Sequence, residues 1–243
     1  MSLQLAIDRG NTQTKVSVSN QGEFLEMQSY GDQTLEGGID YFLKTYAVER
    51  AILCDVRTGY SDDGLTALIN IPTIHMSHTL NFPFINGYST PETLGHDRLA
   101  NMAGACVFSQ QPNILVIDCG TCVTYSMLSH GRFLGGTLSP GVQMRFMALH
   151  HFTGQLPLLQ PLREQPALVG DSTQESIRSG VEHAIIVEVD AMIASYRAQY
   201  NSLQVLLTGG DYSFFENTLK SSIFAVPQLT QLGLHETLRL NPC

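Results

Sequence analysis

A chain of 243 residues with 43% hydrophobic content can bury a sizeable core in one large or two small domains. A net charge of −9 without any Lys/Arg cluster excludes a nucleic-acid footprint, and no apolar run approaches the roughly 20 residues that a membrane-spanning helix needs. The opening Met1-Ser2-Leu3-Gln4-Leu5 enters a strand directly, without the basic and apolar regions of a signal peptide, and five cysteines without a framework spacing fit reduced thiols; together these predict a cytoplasmic protein.

Leu3 to Asp8 and Thr14 to Asn20 alternate as strands, joined by a turn at Gly10. Gln21-Gly22 turns into a third strand near Phe24 to Ser29. A helix is predicted over Ile39 to Tyr46, a buried strand over Arg50 to Asp55, a short helix over Asp62 to Asn70 and a short strand over Ile71 to Met76. Residues 79–96 are irregular, with two prolines, two glycines and aromatics expected to be exposed; long irregular stretches of this kind are often functional. They lead into a small-residue helix, Asp97 to Ala105. The apolar run Leu115 to Ile117 predicts another buried strand, followed by a hairpin at His130-Gly131 and a glycine-rich bend from Phe133 to Gly141, which opens a helix over Val142 to Phe152. A polar linker, Pro157 to Pro166, ends at Gly170-Asp171-Ser172-Thr173. That segment caps a long helix, Gln174 to Gln199, whose Ile177, Val181, Ile185 and Met192 keep roughly helical spacing. A strand from Leu203 to Thr208 runs into Gly209-Gly210-Asp211, a turn suited to an adenosine contact. The last elements are a strand at Ser222 to Val226 and a helix over Leu229 to Leu240.

Two stretches of this chain are versions of each other. LAIDRGNTQTKVSVSNQGEF begins at Leu5 and LVIDCGTCVTYSMLSHGRF at Leu115, and each runs apolar strand, Ile-Asp, one variable residue, Gly, a Thr, alternation, a Gly-containing turn and Phe. A period of about half the chain indicates a duplicated domain. In each copy a strand delivers a carboxylate, and the glycine after it lets backbone approach a ligand closely. Asn11, Thr12 and Thr121 supply phosphate donors, and successive N–H groups form an anion nest. A carboxylate beside phosphate makes sense when Asp8 holds a hydrated Mg²⁺ between them.

Simpler readings exist for each piece. A single Asp-x-Gly-x-Thr is a common strand-end turn. Asp97 could be a first-turn acid favoured by the helix dipole, with Arg98 its solvated neighbour. Cys119-x-x-Cys122 is best taken as small residues packed under a turn, and His75, His78, His150 and His151 as surface or core histidines, because nothing completes a ligand set.

In combination, Asp8 to Lys15, Gly95-His96-Asp97-Arg98 with Asn101, Ile117 to Thr121, Gly135 to Gly141, Gly170 to Thr173 and Thr208-Gly209-Gly210 resemble, in order, the type III pantothenate kinases. The resemblance implies an α/β fold of the actin-like ATPase kind: two duplicated ribonuclease H-like domains, 1–112 and 113–243, with a nucleotide cleft between them. It implies phosphorylation of pantothenate from ATP, the first step of coenzyme A synthesis, by a homodimer that needs Mg²⁺ or another divalent cation and a monovalent cation, K⁺ or NH₄⁺. Asp8, Arg9, Gly10, Asn11, Thr12, Gln13, Thr14 and Lys15 would form the first ATP loop, with Asp8 near Mg²⁺ through water. Thr121 would contact ATP, and Asp118 would hold the monovalent cation. Tyr88, Gly95, His96, Asp97 and Arg98 would bind pantothenate, with Arg98 on its carboxylate, Asp97 as the catalytic base and Thr173 reaching the substrate across the dimer.

Arg9 stands where the family usually has an apolar or small residue, and Ser126 where it usually has an acid, which bears on cation preference. Two other readings keep the same residues: a kinase acting on a sugar or another small acceptor, or a nucleotide-sensing regulator without catalysis. Retention of Asp97 and Arg98 favours the pantothenate kinase.

Overall fold

The computed structural model describes residues 3–57 and 65–242. The described chain forms two compact units: one takes the residues up to Gln110 together with Gly131–Phe133 and those from Gln228 onward, the other Gln111–His130 and Leu134–Pro227. Placing a domain boundary after residue 112 follows the sequence order; by contacts the C-terminal helix groups with the first unit.

In the first unit, β1 (Leu3–Arg9), β2 (Thr14–Asn20) and β3 (Glu23–Tyr30) are successive antiparallel neighbours, while β4 (Val48–Asp55) and β5 (Thr73–His75) add parallel strands on the other side, giving the order β3-β2-β1-β4-β5. The two-residue alternation of strands then sorts the side chains. Leu5, Ile7, Val16, Val18, Ala51 and Leu53 share one face with Leu35, Ile39 and Phe42 of α1 (Asp32–Thr45) in one buried cluster. Each large aliphatic side chain so buried contributes on the order of 2 kcal/mol. Asp8, Lys15, Ser17, Ser19 and Cys54 fall on the opposite face, since Asp8 pairs directly with Lys15 on one side and Cys54 on the other. Helix α2 (Leu65–Ile69) follows; of its predicted span, 62–64 lie outside the described residues.

The opposite face is covered by the last helix of the chain. Packed beneath β1 and β2, it presses against α3 (His96–Phe108) at a crossing made of small residues: a Cβ on Gly233 would come within 1.7 Å of the Ala100 carbonyl oxygen, and one on Gly104 within 2.2 Å of the Leu229 oxygen. A strand of two residues, β6 (Ile85–Asn86), pairs with Arg132–Phe133 within this unit.

The second unit repeats the first. Strand β7 (Asn113–Cys119) pairs antiparallel with β8 (Cys122–Ser129), which neighbours β9 (Arg132–Pro140), while β10 (Leu203–Thr208) and β11 (Phe224–Ala225) lie parallel beyond β7. Among these five strands the order β9-β8-β7-β10-β11 reproduces that of the first unit, and the two-residue β6 lies beyond β9 as a sixth strand without a counterpart there. Its core sets Leu115, Ile117, Val123, Tyr125 and Met127 against Val142 and Phe146 of α4 (Val142–His151) and against Ile185, Val189 and Ile193 of the long helical segment. That segment is α5 (Thr173–Arg178), one π turn over Ser179–His183, and α6 (Ala184–Gln199).

Several expectations change in detail. Helix α1 begins seven residues before the predicted Ile39, because Gly37-Gly38 interrupts the apolar period although Gly38 packs closely on the Tyr30 ring. The glycine-rich bend is a full strand, with left-handed φ at Gly135 and Gly136. Helix α7 (Tyr212–Thr218) follows directly on the Gly209-Gly210 turn and was not anticipated. The last helix, α8 (Leu229–Leu240), has the predicted limits. The aromatics of residues 79–96 are not all exposed: Phe84 is buried, stacking on Phe82 and meeting Phe133 edge-on.

Candidate active site

The carboxyl end of β1 and the first turn of α3 bring acidic side chains to one face of the first unit. Asp8 lies opposite Lys15 and Cys54 in register. The Cys54 thiol is held well above its usual range by burial and then by the charges of Asp8, Asp97 and Asp55, which places both Asp8 and Asp97 within electrostatic reach of the same sulfur. Asp97 is the second residue of α3, and its Oδ1 accepts the Arg98 N–H at 2.8 Å. Gly95 precedes the helix, and a Cβ there would stand 2.5 Å from Asp97 Oδ1, so only glycine leaves this carboxylate its place.

Arg98 is only 4% exposed. Its guanidinium carbon lies 5.7 Å from the centre of the Tyr88 ring and 5.6 Å from that of Phe133, and the two rings run nearly parallel at 6.0 Å. Cation–π contact with two rings holds an arginine fork in a defined place, the condition for reading a planar carboxylate. Backbone fixes the aromatic side: the Tyr88 N–H donates to Asn86 Oδ1 at 3.0 Å, and the Gly87 N–H to the Phe133 carbonyl at 3.0 Å. Phe133 and Asn86 are thus parts of the site that motif reading missed. Phe133 closes the second repeat as Phe24 closes the first, and that correspondence was the available signal. His96, half-buried, has its pKa lowered by burial, with Asp97 opposing and His78 adding to the shift.

The first loop is a tight turn in which the Gly10 N–H donates to the Gln13 carbonyl at 3.1 Å, leaving Asn11, Thr12 and Gln13 exposed at its tip. Not all of its side chains serve one face. Alternation sends Thr14, which is buried, to the α1 face and Arg9 with it, where Arg9 pairs with Asp55 at 3.3 Å; Asp55 also accepts from the Arg57 N–H.

In the second unit Asp118 occupies the place that Asp8 has in the first. Gly209, at φ +98°, lies so close that a Cβ would come within 2.5 Å of Asp118 Oδ1 and of the Cys119 backbone, and the Asp211 N–H donates to the Cys119 carbonyl at 2.9 Å. Thr121 is exposed at the β7–β8 turn; its carbonyl accepts the N–H of Gly141, the residue that starts α4. A Cβ on Gly141 would strike the Gly120 and Thr121 carbonyls, so the glycine-rich strand end is fitted to the loop. Thr173 is the exposed first residue of α5, capped by Ser172 Oγ, which accepts the Glu175 N–H at 3.3 Å. Ser126 is buried in β8.

A family model described as type III pantothenate kinase matches residues 4–195. Among curated relatives, a type III pantothenate kinase of Christiangramia forsetii is 36% identical over 241 residues, covering 98% of this chain and 99% of its own. One from Bacteroides fragilis is 38% identical over 243 residues, covering 98% of each. Among solved structures, a Baf family protein of Campylobacter jejuni superposes with a TM-score of 0.60 at 18% identity, over 97% of both chains. Component A of (R)-2-hydroxyglutaryl-CoA dehydratase from Acidaminococcus fermentans does so with 0.53 at 13%, over 98% of this chain and 96% of its own; at such identities the likeness concerns the fold, the duplicated actin-like ATPase architecture.

Proposed function

The chain belongs to the type III pantothenate kinase family and phosphorylates pantothenate from ATP, a step of coenzyme A biosynthesis, and we propose that Asp97, Arg98 and the two strand-end loops carry that reaction. The observation that supports these roles is the convergence of Asp8 and Asp97 on one face of the sheet, beside an arginine fixed against Tyr88 and Phe133.

Phosphoryl transfer asks a protein for positioning and charge neutralisation more than for covalent chemistry. In this reading Arg98 takes the pantothenate carboxylate through its fork, and Tyr88, Gly95 and His96 line the same pocket. Asp97 accepts the proton of the attacking hydroxyl, a role that an ionised carboxylate fills when hydrogen-bond geometry is right. Its position on a helix packed along α8 keeps it rigid. Asp8 to Lys15 and Thr121 hold the nucleotide through backbone N–H groups and hydroxyls; the Arg9 side chain, turned to the other face, acts there through its backbone.

Asp8 fits a hydrated Mg²⁺, since such an ion takes one or two carboxylates and completes its shell with water and phosphate oxygens. Asp118, with glycine backbone pressed against its carboxylate, fits a monovalent cation, K⁺ or NH₄⁺. Bound there, these ions would neutralise phosphate charge.

A homodimer is part of the same proposal, with Thr173 reaching the partner's substrate. Leu168 and Val169, just before it, are 72% and 82% exposed, apolar side chains of the kind a second copy would cover. Among the described residues no helix is long and apolar enough to cross a membrane, and a cytoplasmic location is the reading that goes with coenzyme A synthesis.

Transfer of phosphate from ATP to pantothenate, measured with and without K⁺ and with Asp97→Asn as control, tests the assignment. K⁺-dependent product that falls by a factor of about 10² or more in the variant is expected. Near-normal turnover of the variant removes Asp97 as the base, and ATP binding without any product favours a nucleotide sensor or a different acceptor.

A further inference from the structure

At the end of the first unit's sheet remote from Asp8 lies a cavity of about 240 Å³, walled by Gln4, Arg50, Val107, Leu232, Glu236 and Arg239. Gln4 and Arg50 are paired in register, four residues down β1 from Asp8, or roughly 13 Å along the strand. The cavity therefore belongs to neither strand-end loop.

Its charges do not cancel. Arg239 is held by Glu236 through two contacts of 2.7 Å, so that carboxylate is already committed. His235, which also lines the cavity, has both ring nitrogens engaged at 2.8 Å by Ser17 and Ser19. Arg50 is left: its Nε is shut off from solvent and meets no acceptor, and among the described residues no hydrogen bond or ion pair reaches its guanidinium. A partly buried guanidinium without a counter-charge is costly, and its planar fork matches a carboxylate or phosphate. The volume, that of roughly eight waters, admits a small molecule, and Val107 and Leu232 give it an apolar wall.

We propose that this cavity binds a small oxyanion, whose carboxylate or phosphate group sits against Arg50. Gln4, buried beside Arg50, offers an amide for a further hydrogen bond, and the apolar wall accommodates a few carbons. This site stands apart from phosphoryl transfer and does not rest on that reading.

Calorimetric titration of the full chain with inorganic phosphate and, separately, with butyrate tests the proposal, with Mg·ADP saturating throughout so that the nucleotide loops are occupied. Saturable binding of at least one anion is expected, weakened at least tenfold in Arg50→Gln. Binding of phosphate alone identifies the occupant as a phosphate, and of butyrate alone as a carboxylate. Val107→Glu, which sets a negative charge in the cavity wall at an exposed helix position and leaves Arg50 in place, should weaken the same binding to a similar degree. Absence of binding to the wild type, or undiminished binding in either folded variant, overturns the site. Failure of the wild type to bind ADP would instead count against the kinase reading.

Discussion

Arg98 shows how much one residue's role depends on distant neighbours. The resemblance to the type III pantothenate kinases proposes it as the carboxylate receptor, but its two aromatic supports lie 10 residues before it and 35 after it in the chain, so only folding brings them together. Arg98→Ala should raise the pantothenate KM by at least tenfold while changing the ATP KM little, since a charge-assisted bidentate pair contributes on the order of 2 kcal/mol. Arg98→Lys should recover little of that loss, because an ammonium keeps the charge and loses the fork. Steady-state kinetics with each substrate varied in turn decide it; equal effects on both substrates would sink the carboxylate role. A similar limit explains Arg9. Its place in the loop was legible, whereas the face its side chain takes depends on strand alternation past Ile7 and on Asp55, 46 residues away.

Among the elements, α3 and α8 form the pair on which the site depends. Helix α8 was legible to the residue, its apolar period being unbroken from Leu229 to Leu240, yet no sequence pattern says that it packs against α3 from the other end of the chain. Helix α7 was missed because Ser213, Phe214, Phe215, Asn217 and Thr218 are weak helix formers, and tertiary burial of Phe214 and Phe215 overrides that preference. Glycine substitutions separate helix propensity from packing. Gly37→Ala, in a helix position with nothing within 4 Å of the new Cβ, should stabilise by about 0.5–1 kcal/mol. Gly233→Ala gains the same propensity but drives a methyl into the Ala100 carbonyl, and should destabilise by about 3 kcal/mol or more. It should also lower kcat, since Asp97 and Arg98 ride on the helix that must move. Urea midpoints check the first two statements, and a Gly233→Ala protein as stable as wild type would show that the crossing yields more readily than its geometry implies.

At the scale of the whole molecule, stability should depend on pH through a histidine that has no part in the reaction. His235 is 3% exposed, and its hydrogen bonds fix its tautomer. Gln231 donates its amide to the Lys15 carbonyl, which turns its oxygen to the Ser17 hydroxyl; Ser17 gives its proton there and so accepts from His235 Nε2–H, leaving Nδ1 to accept from Ser19. A second ring proton has no acceptor in this arrangement, and burial lowers the pKa to about 3. Because the unfolded chain titrates this group near 6.5, it binds more protons than the native state between those values. The stabilising contribution is therefore complete above about pH 6.5 and is lost as pH falls toward 3, by about 2 kcal/mol between pH 8 and pH 5. Urea unfolding at pH 8, 6.5 and 5 should show this loss in the wild type and a flatter profile in His235→Gln, whose overall stability will be lower because Ser17 and Ser19 lose well-placed partners. Parallel profiles in the two proteins would mean that the acid sensitivity originates elsewhere in the chain.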